Sequence, residues 1–288
     1  MRKLALATCQ ELPTLWAGDR LFLDELVRRG YDAAPVVWDD PAIDWRAWDA
    51  VIIRSCWDYH LKIGRFFEWL DAVSTRPVIN RADLVKWNAH KRYLFDIARA
   101  GGRIPRTAIV EQGREGTLSD HLGRSGWEHA VIKPAISATG YKTRLIRWKP
   151  TPEDERAFAE ASAVGDVLVQ EYVPEVSERG EWSLMFFDGR YSHAALKRAA
   201  PGEFRVHIEW GGTVERAAPP PALVVQAQAL IDALALGATY ARVDGTEVNG
   251  DLMIMELEVI EPELFFDMEP AAPAQLADAV ERVLESPK

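Results

Sequence analysis

Cysteine is nearly missing from this chain: Cys9 and Cys56 are the two thiols among 288 residues, and they form no CxxC pair. That excludes a disulfide framework and makes a reduced, cytoplasmic setting the expectation. Positive charge is also in short supply, with 34 Lys and Arg against 44 Asp and Glu and a formal net charge of −10. Such a balance argues against a general nucleic-acid partner. No apolar run approaches a membrane span, and the one after Arg2 and Lys3 is too short for a signal peptide, so no membrane partner is expected. There is no GxGxxG, no P-loop spacing, no internal repeat and no low-complexity tract. Hydrophobic residues make up 48% of the chain, enough to bury a substantial core as one large domain or as two or three compact ones.

The first 80 residues alternate β-α-β-β-α-β. Residues 3–7, 34–38, 50–54 and 77–80 read as strands, and helices start near Asp19 and Gly64. This pattern predicts a small, mostly parallel sheet with helices packed against it. Ligands collect at the carboxyl ends of strands in such sheets, where Arg54-Ser55-Cys56-Trp57-Asp58-Tyr59-His60 falls. Substrate contact by Arg54 or Asp58 weighs evenly there against a capped turn in which Asp58 caps the next helix. Further on, a helix over 88–98 carries Lys91. Strands follow at 104–110, 129–134, 142–147 and 167–173, with helical segments at 117–123 and 150–161. A hairpin spans 182–197, an apolar helix 222–236, and a last helix 271–285.

A second hairpin organises the C-terminal part. Its arms, 240–245 and 252–261, alternate polar and apolar residues around Asn249-Gly250. Asp244, Glu256 and Glu258 occupy polar positions, and three carboxylates in so small an area repel unless a cation sits among them. Parity constrains the geometry. A two-residue turn would oppose 248 with 251 and 244 with 255, leaving Asp244 on the wrong face. Shared metal binding therefore predicts an odd-numbered loop, such as a type I turn ending in a left-handed Gly250, and a strict two-residue turn without a compensating bulge would count against it.

Four other features bear on chemistry. Lys133 ends an apolar strand and needs an anion or a carboxylate, although snorkelling to the surface is the commoner fate of a lone lysine. Ala135-Ile-Ser-Ala-Thr-Gly140 can fold over phosphates and offer backbone N–H groups. Gln170-Glu171-Tyr172-Val173 is a strand end able to present N–H and C=O groups to a flat heterocycle, or simply a strand end. Arg205, in a Gly-flanked stretch, suits a developing anionic charge or a solvated loop.

In order and spacing these features resemble the ATP-grasp superfamily, close to its glutathione-synthetase-like branch, over residues 85–285. The residues that carry the resemblance are Trp87-Asn88-Ala-His-Lys91, Lys133-Pro134, Gln170-Glu171-Tyr172-Val173, Arg242-Val-Asp244-Gly and Glu256-Leu-Glu258-Val-Ile-Glu261-Pro262. Trp38-Asp39-Asp40-Pro41, Trp45, Trp48-Asp49 and the 54–60 cluster are similar to the bacterial group that contains the O-ureido-serine cyclo-ligase of cycloserine biosynthesis. The resemblance implies an α/β chain (α+β overall) with the ATP-grasp fold. Residues 1–84 would form an N-terminal, mostly parallel pre-ATP-grasp domain. A central subdomain, 85–175, would carry the phosphate loop, and a C-terminal subdomain, 176–288, the magnesium hairpin.

It further implies ATP and Mg²⁺ as cofactors. Lys91 and Lys133 would bind phosphates under a mobile loop containing Ser137 and Gly140. Gln170, Glu171, Tyr172 and Val173 would hold adenine, and Glu178 or Glu181 the ribose. Asp244, Glu256 and Glu258 would hold magnesium, while Arg205 and Lys133 serve catalysis. Glu258 stands where many relatives have Asn, and the phosphate loop has fewer glycines than in glutathione synthetase. Arg54, Ser55, Asp58, Tyr59, His207 and Glu261 are the expected substrate lining, a charge mix suited to a small, zwitterionic amino-acid-like ligand. The implied activity is C–N ligation through an acyl phosphate, within one molecule or between a carboxylate and a separate amine. The rival classes are a nucleotide-binding module without catalysis and a structural α/β protein. A homodimer is left open.

Overall fold

In the computed structural model, which describes residues 1–147 and 149–285, the N-terminal strands form a four-stranded parallel sheet in the order β2-β1-β3-β4. The strands are β1 (Lys3–Thr8), β2 (Asp32–Val37), β3 (Ala50–Ile53) and β4 (Val78–Ile79), with α1 (Ala17–Arg28) after β1 and α2 (Ile63–Val73) before β4. Because side chains alternate along a strand, β1 feeds two separate cores. Leu4 and Leu6 join Phe22 and Leu26 of α1, Phe187 and Tyr240. Ala5 and Ala7 join Trp38, with Phe66 and Trp69 of α2. Both faces of the sheet are covered, which is why β1 reads as an unbroken apolar run.

The chain then forms α3 (Ala82–Ala89) and α4 (Tyr93–Arg99). One helix over 88–98 was expected; instead the helix breaks at His90 and Lys91 lies in the break. The cause is tertiary. Asn88 donates to the Leu257 carbonyl and accepts from Val259 N–H, while Lys91 N–H goes to the Ala135 carbonyl at 2.8 Å.

A second sheet, antiparallel and ordered β5-β8-β6-β7, contains β5 (Thr107–Val110), β6 (His129–Pro134), β7 (Arg144–Arg147) and β8 (Val167–Glu171). It packs against α5 (Leu118–Ser125) and α6 (Pro152–Val164), each started by a Thr-x-x-Asp capping box. The short α7 (Glu175–Arg179) leads into the third sheet, ordered β11-β10-β9-β12-β13. Its strands are β9 (Glu181–Phe187), β10 (Arg190–Arg198), β11 (Thr213–Arg216), β12 (Tyr240–Val248) and β13 (Asp251–Glu258); α8 (Pro221–Leu234) precedes β12 and α9 (Ala272–Glu285) closes the described chain. The sequence reading missed α7, which is too short for periodicity, and β11, whose residues are largely exposed. Among the described residues no helix is long and apolar enough to cross a membrane.

The β12–β13 hairpin corrects the expected odd loop. Val248 pairs with Asp251, so the turn is the two-residue Asn249-Gly250, with φ of 56° and 85°. Asn-Gly accepts two positive φ values, and such a turn matches the twist of its strands. The ladder instead slips one residue farther on: Gly245 faces Ile254, whereas Asp244 faces Glu256, leaving Met255 unpaired as a bulge. The strands come so close there that a Cβ on Gly245 would lie 2.6 Å from the Met253 carbonyl oxygen. The bulge restores the parity that the turn alone would deny.

Candidate active site

Asp244 and Arg242 on β12 share a face with Glu256 and Glu258 on β13. That face forms one wall of a cavity of about 400 Å³, roofed by β6, β8 and the loops that follow them. Arg242 clamps Asp244 (Nη2–Oδ2 2.8 Å) and also reaches Glu258. Lys197 of β10 lies between Glu181 (2.6 Å) and Asp244 (3.2 Å). Lys133, at the end of β6, donates to Glu256 Oε1 at 2.8 Å, and Lys91 to Glu256 Oε2 at 3.3 Å. Lys91 Nζ also donates to the Ser137 carbonyl.

These contacts split the carboxylates. Burial works against ionisation of Asp244, but Arg242 and Lys197 hold it well below the usual carboxylate range. Glu256 is likewise held low by Lys133 and Lys91 against burial. Glu258 is pushed up to about 7 by burial and by the charges of Asp244 and Glu256, although Arg242 opposes this. Glu261 is pushed up to about 8 by burial and by Glu258. Among the described residues no group of three His, Cys, Asp or Glu side chains is drawn together as a metal cage, because basic side chains engage each carboxylate of the expected set. The donor chemistry fits a hard divalent cation nonetheless: three carboxylates on one face, two of them facing lysines that an anionic ligand would attract.

The β8 end supplies Gln170, Glu171, Tyr172 and Val173 to the cavity wall. Gln170 Nε2 donates to Thr107 Oγ1, Glu171 pairs with Arg106, and Tyr172 Oη bonds Ser177 Oγ. Ser137 and Gly140 line the opposite side. Gly140, at φ 68°, lies where a Cβ would be 3.4 Å from Trp210 Nε1 and 3.6 Å from His207 Nδ1. The 135–143 loop thus meets the segment around Arg205. Arg205 pairs with Glu203 at 2.8 Å and stacks 3.2 Å from the Trp210 ring centroid. His207 Nδ1 is buried without a hydrogen-bond partner, and burial together with Lys197 pushes the ring down to about 4.

Four expected site residues lie outside this cavity. Arg54 is fully buried; it holds Asp19 (2.8 Å) and the Pro262 carbonyl (2.6 Å), and its guanidinium sits over Tyr240. Ser55 donates to the same Asp19 and accepts from Trp16 N–H. Asp58 accepts from Trp38 Nε1 and Lys62 Nζ, both at 2.8 Å, and caps no helix. A buried charge needs these partners, so the three anchor the fold instead of facing a ligand. Glu178 sits on the exposed side of α7, whereas Glu181 lines the cavity. Tyr59, His207 and Glu261 line it as well. Trp57, in the 54–60 cluster, lines it too, and the sequence reading overlooked Lys197, Trp16 and Glu263, which also do. Only Lys197 had a signal: it shares the strand parity of the buried Ala195 and His193, an inward position for a charge.

An arrangement of cations and carboxylates between two antiparallel sheets, behind a parallel domain, has solved counterparts. D-Alanine–D-alanine ligase from Bacillus anthracis, complexed with ATP, matches 99% of this chain and 97% of that one with a TM-score of 0.69 at 15% identity, a likeness of fold. Fold and site define an ATP-grasp ligase, as the sequence resemblance implied. Residues 4–80 match the family described as D-cycloserine synthetase DcsG, N-terminal domain. The cycloserine biosynthesis protein DcsG of Streptomyces lavendulae is 31% identical over 82% of this chain and 83% of that protein. The crystal structure of D-cycloserine synthetase DcsG covers 98% of this chain and 100% of that one, with a TM-score of 0.88 and 27% identity. The chain belongs to the DcsG family of ATP-grasp ligases.

Proposed function

We propose that this protein uses ATP and Mg²⁺ to activate the carboxylate of a small amino-acid-like substrate, and that it closes a C–N bond within a molecule of the O-ureido-serine type. The observation that carries the reading is the convergence of Lys91 and Lys133 on Glu256, beside Asp244 and Glu258. When bound, ATP and Mg²⁺ supply the phosphoryl group and the charge neutralisation that make a carboxylate electrophilic. Lys91 and Lys133 would leave Glu256 for phosphate oxygens, freeing that carboxylate, with Asp244 and Glu258, to hold the metal. The β8 end would present its backbone edge and Gln170 to adenine, and Glu181 would take the ribose. Arg205 would lie near the charge that develops during transfer. The contact of Gly140 with Trp210 and His207 would let the two loops close together and exclude water.

The test is incubation with Mg·ATP and each enantiomer of O-ureido-serine, following ADP, phosphate and the cyclic product. Release of ADP and phosphate dependent on one of these substrates is expected. AMP and pyrophosphate would overturn the acyl-phosphate route. ADP release only when a separate amine is added would reassign the protein to intermolecular ligation.

A further inference from the structure

We infer that the part of the cavity walled by Trp16, Trp57, Tyr59 and Glu261 is a subsite for a primary ammonium group, so that the substrate must carry a free amine. This rests on the ligase reading above and deepens it. Glu261 is 7% exposed and lines the cavity. Among the described residues no Lys, Arg or His forms an ion pair with it, and Arg242 and Lys91 act on its carboxyl only from farther away. Glu263 also lacks an ion pair among the described residues but accepts from Trp16 Nε1, and the other neighbouring acids hold cations. Asp244 has Arg242 and Lys197, Glu256 has Lys91 and Lys133, Glu258 has Arg242, and Glu181 has Lys197. Without such a partner burial and Glu258 drive Glu261 toward its neutral acid, and an incoming ammonium would favour the ionised carboxylate, the acid proton leaving to solvent.

The walls suit the same ligand. Trp16 and Trp57 have ring centroids 5.2 Å apart. Both are fixed by the acidic segment itself: Trp57 Nε1 donates to the Glu261 carbonyl (3.1 Å) and Trp16 Nε1 to the Glu263 carboxylate (2.8 Å). Indole faces attract cations, more strongly where water is excluded. A compact ammonium matches one carboxylate among rings, whereas a guanidinium fork calls for several acceptors in one plane. The cations Arg242, Lys197 and Arg205 line the same cavity. A zwitterion would therefore lie with its amine toward Glu261 and its carboxylate toward these basic groups.

The test is calorimetric binding in the presence of Mg·AMPPNP, with O-ureido-serine and its desamino counterpart, 3-(ureidooxy)propanoate, as probes. The wild type is expected to prefer the amine-bearing probe by on the order of 10- to 100-fold, the range of a charged hydrogen bond. Glu261→Gln should abolish most of that preference while leaving Mg·AMPPNP affinity and Tm unchanged. Trp57→Leu, which retains the carboxylate, should weaken the amine-bearing probe selectively. A wild type without preference, or a Glu261→Gln variant that keeps it, would overturn the subsite. ADP release by the wild type is followed in parallel. Its absence would remove the ligase reading, while the binding preference still decides the subsite.

Discussion

Asp244 and Glu256 face one another across β12 and β13, although the Asn249-Gly250 turn alone would place them on opposite faces. The Met255 bulge makes the difference, and it also brings Arg242 opposite Glu258. The shared face of these carboxylates is thereby set inside the strands and not at the turn.

The two carboxylates that share Arg242 should respond differently to neutralisation. Asp244 is 2% exposed and accepts from Arg242, Lys197 and Ser183, whereas the Glu258 side chain is 27% exposed and among the described residues bonds Arg242 alone. Asp244→Asn is expected to lower both Tm and ADP release. Glu258→Gln should leave Tm nearly unchanged and raise the Mg²⁺ concentration needed for half-maximal rate by about 10-fold or more, the scale on which ligand-sphere changes act. Melting curves and Mg²⁺ titrations check both.

Lys91 and Lys133 meet on one carboxylate, so their removal should not be additive. Lys91→Met and Lys133→Met are each expected to raise the KM for ATP by about 10-fold or more, the loss of one charged hydrogen bond. The double variant should fall short of the product of the two. Steady-state ADP release gives the three values.

Arg54 is expected to act on stability and not on substrate choice. Its ion pair with Asp19 is buried on both sides, and breaking such a pair costs about 3–5 kcal/mol. Arg54→Leu should lower the urea midpoint accordingly, while the KM for the amino substrate in the remaining folded protein stays unchanged. A KM shift without loss of stability would return Arg54 to the cleft.

The contribution of His193 to stability should decline as pH falls through the histidine range. Burial pushes His193 below its ordinary value, against Glu269 and with Arg216, while its Nε2 donates to the Leu264 carbonyl at 2.9 Å. The folded state therefore stays neutral at a pH where the unfolded chain takes up a proton, so the contribution is present above about pH 6.5 and is lost below it. His60, His90, His121 and His207 are lowered in the same sense. Each lowered histidine contributes a drop of up to about 1.4 kcal/mol per pH unit as pH falls, whereas the raised Glu258 and Glu261 bind protons in the folded state and contribute in the opposite sense. His193→Gln should make the slope shallower, as read from urea denaturation at several pH values.

The N-terminal alternation, the apolar strand ending at Lys133 and the polar positions of the last hairpin were legible because side-chain period and turn residues are local properties. From them the parallel sheet, the carboxylate triad and the family resemblance follow. The break at Lys91 was not legible. It exists because Asn88 and the Lys91 amide bond to segments distant in sequence, Leu257, Val259 and Ala135, which outweigh local helix propensity. Arg54, Ser55 and Asp58 look like ligand contacts in a list of residue types. Only the fold shows that Asp19, Trp38 and Lys62 already pair with them, Arg54 Nη1 alone among their polar atoms being buried without a partner among the described residues.

The sequence by itself determined a core of the cavity's chemical groups, with Lys91, Lys133, Asp244, Glu256, Glu258, a strand edge and a small-residue loop, but not Lys197 or Glu263. Tertiary structure decided which of them are paired and which are left waiting. Pairing depends on register and on contacts across more than a hundred residues, as between Lys133 and Glu256. The same packing left Glu261 buried without an ion pair among the described residues, a state that no local pattern encodes.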